Sequence, residues 1–352
     1  MTLSVYLLKL MSSRVFAALV VLAGLLQIID LLEVTTQILD RDLGPGGVAY
    51  YAMLRMPRLI EQAAPLAVLA GSLFAFAKLA GESAVTAMRS TGISAYRITM
   101  MAAPAVVGLA LVQLVIGMAV APRTDQLLSA WWQASAPKDA AKAIDPVTFR
   151  LGDEVVVAVP RDPDGRSLEN VTLYRRDATG RLVERTNAKA AVWEAGRWTL
   201  IEPRFESLGV ATISEGSAKT MGWTENLQPA DVRAMAAGQT LVTPQEASRA
   251  LAGGLSMRPR TYYVTQLQRA WAAPFACIVM LLLAAPAAMA NFRGGGVTLL
   301  VQCLAGGLLF LVFDGAFTAL GESGAAPPIL AAWAAPAMFA ALGVTALIYL
   351  EG

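Results

Sequence analysis

Histidine is absent from this chain of 352 residues, and cysteine occurs only twice. Without histidine the chain has no Ser-His-Asp or Cys-His catalytic centre, no HExxH zinc site and no classical zinc finger. The two cysteines, Cys277 and Cys303, both lie in apolar runs, so we expect no disulfide framework. The phosphate-binding sequences GxxxxGKS and GxxxxGKT are also missing, which excludes a P-loop ATPase within this chain. Together these absences disfavour an enzyme.

Charge is scarce and unevenly distributed along the chain. Only 15% of the residues are charged, against about 25% in a typical soluble domain, and the mean hydropathy is +0.54. Of the 28 basic and 26 acidic residues, 36 fall within residues 122–269. The net charge is +2 and there is no basic block, so nothing indicates nucleic-acid binding. The distribution predicts a membrane protein with one water-soluble insert.

Six stretches are long and apolar enough to cross a bilayer as helices, for which about 20 residues are needed. They are residues 15–39, 56–78, 98–121, 270–290, 297–320 and 329–350. Ahead of the first span, Leu3, Leu7 and Leu10 recur at helical spacing, which predicts a short interfacial helix before Arg14. We therefore expect an α-helical polytopic membrane protein with six transmembrane helices.

Lysine and arginine in the short loops indicate the orientation, because cytoplasmic loops carry more of them. With the N-terminus inside, six basic residues are cytoplasmic: Lys9, Arg14, Lys78, Arg89, Arg97 and Arg293. Three are then outside: Arg41, Arg55 and Arg58. This bias predicts that both termini are cytoplasmic and that the insert is periplasmic in a Gram-negative cell.

The insert, residues 122–264, shows the pattern of β-strands. Short alternating or apolar segments are separated by turn sequences such as DPDG, ATGR and EAGR. The predicted strands are residues 153–160, 170–177, 188–194, 197–205 and 210–215. An all-β, jelly-roll-like domain with two sheets over one core follows, between membrane halves at residues 1–121 and 265–352. Such a domain serves either as a docking spacer or as a holder for an acyl chain, and both roles stay open.

The residues around the second span carry a resemblance to a known family. They are a proline before the span, a proline inside it, a small residue after it and a glycine that closes a cytoplasmic helix: Pro57, Pro65, Gly71 and Gly92. Together with Pro327-Pro328 and the apolar segment that follows, they resemble the lipopolysaccharide-export permeases LptF and LptG, also called the YjgP/YjgQ family. The acidic DLLE sequence in the first span and the C-terminal segment are more similar to LptG than to LptF.

The resemblance implies a function. Such permeases form a heterodimer of LptF with LptG on a cytoplasmic dimer of the ATPase LptB, which uses ATP and Mg. They extract lipopolysaccharide from the inner membrane and pass it through their β-jellyroll domains to LptC. The resemblance therefore predicts an LptF-like partner, LptB, LptC and membrane lipids around this chain, with no cofactor bound by the chain itself.

A short amphipathic helix is predicted at residues 82–91, between the second and third spans. Its named residues are Glu82, Ala84, Val85, Met88 and Arg89, and Gly92 ends it. An ordinary interfacial helix fits the pattern, whereas the resemblance implies a coupling helix that docks into LptB. Family members usually carry an acidic residue at the position of Ala84, and Glu82 is the candidate to replace that charge.

Polar residues near the outer ends of the first two spans are candidate lipid contacts. Gln27, Asp30 and Glu33 fit either a lining role or solvated helix-end residues. Arg55 and Arg58 share one face and suit an anionic lipid group. Pairing of Arg58 with Glu61, or snorkelling to the headgroups, fits equally well.

Asp314 is the only charged residue of the fifth span, and Phe317 lies one turn after it. The resemblance implies a lateral gate between the first and fifth spans, in which Asp314 would make a polar contact. Interfacial solvation explains the same residue. For the whole chain, the alternative to a lipid-passing permease is a mechanotransmitting or scaffolding membrane protein.

Overall fold

The fold was established from a computed structural model, which describes residues 3–82, 84–135, 146–152, 154–162, 164–177, 181–208, 213–223, 227–236, 244–252, 254, 256–289 and 296–351. The chain divides into two compact units. One unit contains Met1–Ser135 and Val264–Gly352, and the other contains Ala136–Tyr263. Within the described residues, six helices are long and apolar enough to cross a membrane. The predicted polytopic helical protein with an inserted antiparallel β region is confirmed.

The first unit is built almost entirely of helices. Their bounds are α1 Leu3–Leu39, α2 Gly44–Gly81, α3 Ala84–Ser90, α4 Ala95–Val115, a π-helical turn Ile116–Val120, α5 Ala121–Ala134, α8 Arg260–Ala284, a 3-10 helix Ala285–Met289, α9 Gly296–Glu322 and α10 Pro328–Glu351. The second unit contains α6 Pro229–Ala236 and α7 Pro244–Leu251.

Helix α1 is continuous from Leu3, where the sequence predicted a separate interfacial helix before Arg14. No glycine or proline interrupts this stretch, so the helix has no reason to break. Leu7 and Met11 are buried in the same apolar core as α2, which fixes the first turns of the helix.

The third span continues past its predicted end at Ala121 into α5. The π-helical turn closes with a hydrogen bond from the Ala121 amide to the Ile116 carbonyl, an i to i+5 pattern. Pro122 then falls in the first turn of α5, where a missing N–H is tolerated. Helical structure therefore extends 13 residues further than hydropathy predicted, to Ala134.

Helices α2 and α8 are the centre of the helical unit. In their most apolar windows 61% of the residues are buried, against 22% for α1 and 17% for α9. Helix α1 packs along α2 very closely, because a Cβ atom on Gly71 would lie 2.5 Å from the Val15 Cα atom. The apolar faces that α1 and α9 leave exposed are suited to lipid or to another membrane subunit.

The second unit contains an eight-stranded antiparallel sheet. The strands are β1 Val147–Leu151, β2 Glu154–Pro160, β3 Ser167–Arg176, β4 Leu182–Glu194, β5 Arg197–Ile201, β6 Arg204–Leu208, β7 Ile213–Ser217 and β8 Thr220–Trp223. Their order is β1-β2-β3-β4-β5-β8, and β6 pairs with both β4 and β7. Residues 209–212, part of the last predicted strand and the turn before it, lie outside the described residues.

Strand β4 joins what the sequence predicted as two separate sheets. Its second half, Ala190 to Glu194, pairs with β5, whereas Glu184 to Asn187 pair with β6. One apolar core lies behind the strands and is centred on Trp198, which is completely buried. The Trp198 indole donates to the Leu227 carbonyl at 2.9 Å, so the core also holds the segment that leads to α6.

Candidate functional site

The C-terminal part of α1 and the N-terminal part of α2 are joined by a polar cluster. The Tyr51 hydroxyl donates to Asp30 Oδ2 at 2.9 Å, and Arg55 Nε lies 3.3 Å from Asp30 Oδ1. The Asp30 and Arg55 side chains are 18% and 21% exposed. Asp30 was predicted to line the lipid path and Arg55 to bind an anion, and in the structure the two side chains bind each other. Residue spacing along one helix does not reveal such a contact between two helices.

Arg58 forms the ion pair that the sequence offered as an alternative to lipid binding. Its Nη1 atom lies 3.0 Å from Glu61 Oε2, one helical turn further along α2. The Arg58 Nε atom is buried and has no partner within the described residues. Arg58 is thus positioned by a carboxylate, as Arg55 is, and the two guanidinium groups lie about one turn apart on α2.

Gln27 and Glu33 occupy different environments on α1. Gln27 is 7% exposed, and in the described part of the chain neither its amide nitrogen nor its amide oxygen has a hydrogen-bond partner. Glu33 is exposed. The register set by the Asp30–Arg55 and Val15–Gly71 contacts places Gln27 at about the level of Arg58 on α2. The buried amide and the buried Arg58 Nε therefore lie at a similar depth.

Arg41 and the pair Trp131-Trp132 were missed by the sequence analysis. The Arg41 guanidinium carbon lies 3.9 Å from the centre of a Trp132 ring, and its Nη1 atom donates to the Trp132 carbonyl at 2.7 Å. Partial burial lowers the pKa of Arg41 from its usual value, and the group stays charged. Two adjacent tryptophans at the end of an apolar helix were the available signal, since such residues mark a membrane interface.

Asp314 on α9 has a basic partner on α8. Arg269 Nη2 lies 3.4 Å from Asp314 Oδ2, and the two side chains are 41% and 22% exposed. The sequence analysis named Asp314 but not Arg269, which is 45 residues away in sequence. Phe317 stacks on Phe313 with 6.4 Å between ring centres, on the same helix. The predicted contact of Asp314 across a gate to α1 is not among the contacts of the described residues.

The helix between the second and third spans is α3, Ala84–Ser90, where the sequence predicted a helix at residues 82–91. Val85 and Met88 are buried in the core of the helical unit, and Ala84 packs against that core. Ala87 and Ser90 are exposed. The helix therefore has one face anchored in the helical unit and one face in solvent.

The ends of α3 are well defined. Gly92 has a φ angle of +84°, which L-residues with side chains rarely adopt, and the Ile93 amide closes the turn on the Met88 carbonyl at 3.1 Å. Glu82 makes an exposed contact of 3.7 Å with Lys78 at the end of α2. The side chain of Arg89 lies outside the described part of the structure.

The β unit contains a cavity lined by both charged and apolar side chains. The apolar side chains include Leu173, Leu200, Met221 and Trp223. Glu154, also in the lining, is 4% exposed and accepts hydrogen bonds from Arg175 Nε at 2.9 Å and from the Trp223 indole at 3.2 Å. Since these partners come from β2, β3 and β8, the Glu154 carboxylate connects the edge strand β8 to the middle of the sheet.

Within the described residues, no cluster of three histidine, cysteine, aspartate or glutamate side chains is placed to hold a metal ion. The fold, with the polar cluster between α1 and α2, defines the class of the protein. It is a polytopic membrane protein with an antiparallel β domain inserted between its third and fourth spanning helices.

Comparison with known proteins names the family. The sequence model of the lipopolysaccharide export system permease LptF/LptG matches residues 5–349, and the chain belongs to this family. It is similar to the lipopolysaccharide export system permease protein LptG of Haemophilus influenzae, with 24% identity over 230 residues. The matched region covers 65% of this chain and 64% of that relative.

Proposed function

We propose that this chain is a transmembrane permease subunit that extracts lipopolysaccharide from the inner membrane and passes it through its β domain toward the outer membrane. The observation that carries the proposal is the family match over residues 5–349, which takes in all six apolar helices and the inserted sheet. The similarity to an LptG protein supports the LptG side of the family.

The driving force comes from a separate ATPase dimer of the LptB type, which binds ATP and Mg. This chain has no P-loop sequence and acts as a non-catalytic subunit without a bound cofactor. Helix α3 transmits the motion of the ATPase. Its anchored face, with Val85 and Met88 in the core, supports a rigid connection to α2, and its exposed face is available to the partner.

The permease works with a second subunit of the same topology, an LptF-like chain, and delivers its lipid to LptC. The exposed apolar faces of α1 and α9 support a second subunit, because a single set of six spans leaves both helices uncovered on one side. Both termini are cytoplasmic and the insert is periplasmic, an orientation that rests on the distribution of Lys and Arg.

Arg55 and Arg58 contact anionic groups of the lipid. Each guanidinium is oriented by a carboxylate, Asp30 for Arg55 and Glu61 for Arg58. Arg55 meets Asp30 through its Nε atom. A planar guanidinium in a fixed orientation matches the oxygens of a phosphate or carboxylate. Gln27, Glu33, Asp314 and Phe317 are secondary candidates along the same path.

Photocrosslinking tests whether lipid passes through the β domain. A photoreactive residue at Met221, in the wall of the cavity, should crosslink to newly made lipopolysaccharide in living cells. The same residue at Lys219, which is also exposed but is not among the residues that line the cavity, is the matched control. Crosslinks from neither position, in cells whose growth depends on the tagged chain, would favour the scaffolding function over the permease.

A further inference from the structure

Three helices meet at the buried side chain of Gln113, which is 4% exposed. Its Nε2 atom donates to the backbone carbonyl of Glu61 on α2 at 3.1 Å. Its Oε1 atom accepts a hydrogen bond from the Cys277 thiol on α8 at 3.0 Å. One amide group on α4 therefore connects α2 with α8 inside the helical unit.

The Glu61 carbonyl needs this partner because of Pro65. In a helix the carbonyl of residue 61 accepts from the amide of residue 65, and proline has no amide hydrogen. An unpaired carbonyl is costly where no water is available. Gln113 replaces the missing donor from a different helix, which is how neighbouring helices re-satisfy a proline break inside a membrane.

A second interruption of helical geometry lies directly beside the first. The π-helical turn Ile116–Val120 begins three residues after Gln113. Gly117 within it approaches Glu61 so closely that a Cβ atom would lie 2.7 Å from the Glu61 Oε1 atom. Proline breaks and π-helical turns are the places where helices bend. The proline interruption of α2 and the π-helical turn of the third span are thus close together.

We propose that Gln113 is a positioning residue for lipid extraction. Its two hydrogen bonds, to the Glu61 carbonyl and from the Cys277 thiol, are called the clasp, and they hold the outer segment of α2 against α4 and α8. The outer segment, residues 44–64, carries Arg55 and Arg58, whereas the inner segment beyond Pro65 leads directly to α3. Motion that enters at α3 and travels along α2 passes the proline interruption at Pro65 before it reaches the arginines, and the clasp holds α2 at that interruption. The inference rests on the proposed function.

The functional test compares Gln113→Met with the wild-type chain in the complete assembly, reconstituted with its ATPase in liposomes that contain lipopolysaccharide. Methionine keeps the length of the side chain and removes both hydrogen bonds. We expect the lipopolysaccharide released per ATP hydrolysed to fall about threefold or more, the equivalent of a typical interhelical hydrogen bond in a membrane protein. Thr265→Val, which changes another buried polar side chain whose hydroxyl has no partner among the described residues, should leave the ratio unchanged.

A second measurement uses the wild-type assembly and does not depend on how the variant folds. Alkylation of Cys277 should change about threefold in rate between the nucleotide-free and ATP-bound states, because its thiol lies on the clasp. Cys303, also buried in the helical unit, is the internal control. Equal responses of the two cysteines, or an unchanged release ratio for Gln113→Met, would overturn the clasp. A wild-type assembly that hydrolyses ATP without releasing lipopolysaccharide would instead contradict the proposed function.

Discussion

Arg55 on α2 forms an ion pair with Asp30 on α1, with 3.3 Å between the Nε and Oδ1 atoms. The same carboxylate accepts a hydrogen bond from Tyr51, so one acidic side chain holds two groups of the neighbouring helix. This contact joins the long antiparallel pair α1 and α2 at the level where the lipid headgroups are expected.

Replacing Asp30 should weaken the contact between the C-terminal part of α1 and the N-terminal part of α2. Asp30→Asn removes the charge that faces Arg55, and we expect a loss of about 1–3 kcal/mol in stability, the cost of leaving a partly buried charged group without its partner. Thermal unfolding of the purified protein in detergent measures it. The matched control is Glu33→Gln, which removes one negative charge from an exposed position on the same helix. Equal effects of the two changes would show that the ion pair contributes nothing specific.

A methyl group at Gly117 should disturb the Arg58–Glu61 pair. The added Cβ atom would lie 2.7 Å from Glu61 Oε1, so the carboxylate that pairs with Arg58 has to shift. We expect Gly117→Ala to lower stability despite the gain in helix propensity of about 1 kcal/mol that alanine normally brings.

Gly108→Ala is the control for this prediction. Gly108 lies on the preceding helix α4 and has nothing within 4 Å of an added Cβ atom, so it should show the ordinary gain. The two variants should therefore shift the unfolding temperature in opposite directions. A rise for both would mean that Glu61 moves without cost.

The exposed face of α3 should be required for binding the ATPase. Ala87→Arg adds a long charged side chain to that face, and arginine forms helices nearly as well as alanine, so α3 itself should stay folded. We expect the variant to retain its fold and to lose the ATPase in co-purification. Ala130→Arg introduces the same change at an exposed position of α5 and should retain the ATPase. If both variants still co-purify with the ATPase, the exposed face of α3 does not form part of the ATPase interface.

Removing the charge of Glu154, the buried carboxylate of the β unit, should lower stability more than removing the charge of a surface carboxylate. Glu154→Gln removes the negative charge that lies 2.8 Å from Arg175. Arg175 keeps its contact with Glu184 at 3.0 Å, so we expect a loss of about 2 kcal/mol, the cost of a buried hydrogen bond to a charged group. Glu169→Gln breaks a surface pair with Arg161 and should cost at most about 1 kcal/mol. Chemical unfolding, monitored by tryptophan fluorescence, reports the difference because Trp223 also binds Glu154. Comparable losses would contradict the burial argument.

Hydropathy and alternation were sufficient to predict the six spans and the inserted β region, since both patterns follow directly from which side of each element is buried. They could not predict that α1 is unbroken from Leu3 or that α5 continues to Ala134. The ends of those helices depend on packing and on a π-helical turn, and neither leaves a periodic signal.

In the candidate site too, contacts within one helix could be predicted from the sequence and contacts between helices could not. The Arg58–Glu61 pair lies one turn apart on a single helix, and the sequence offered it as an alternative. The Arg269–Asp314 contact and the stack of Arg41 on Trp132 join residues 45 and 91 positions apart. Such contacts depend on how helices pack, which a single sequence does not report. The coupling role of α3 stays a prediction.

Native mass spectrometry of the tagged chain, extracted gently from the membranes of its own host, tests the central claim most directly. The permease account predicts an assembly with a second six-span subunit, two copies of an ATPase and bound lipopolysaccharide. A lone chain or a homodimer without ATPase, under conditions that preserve other transporter complexes from the same membranes, would contradict it.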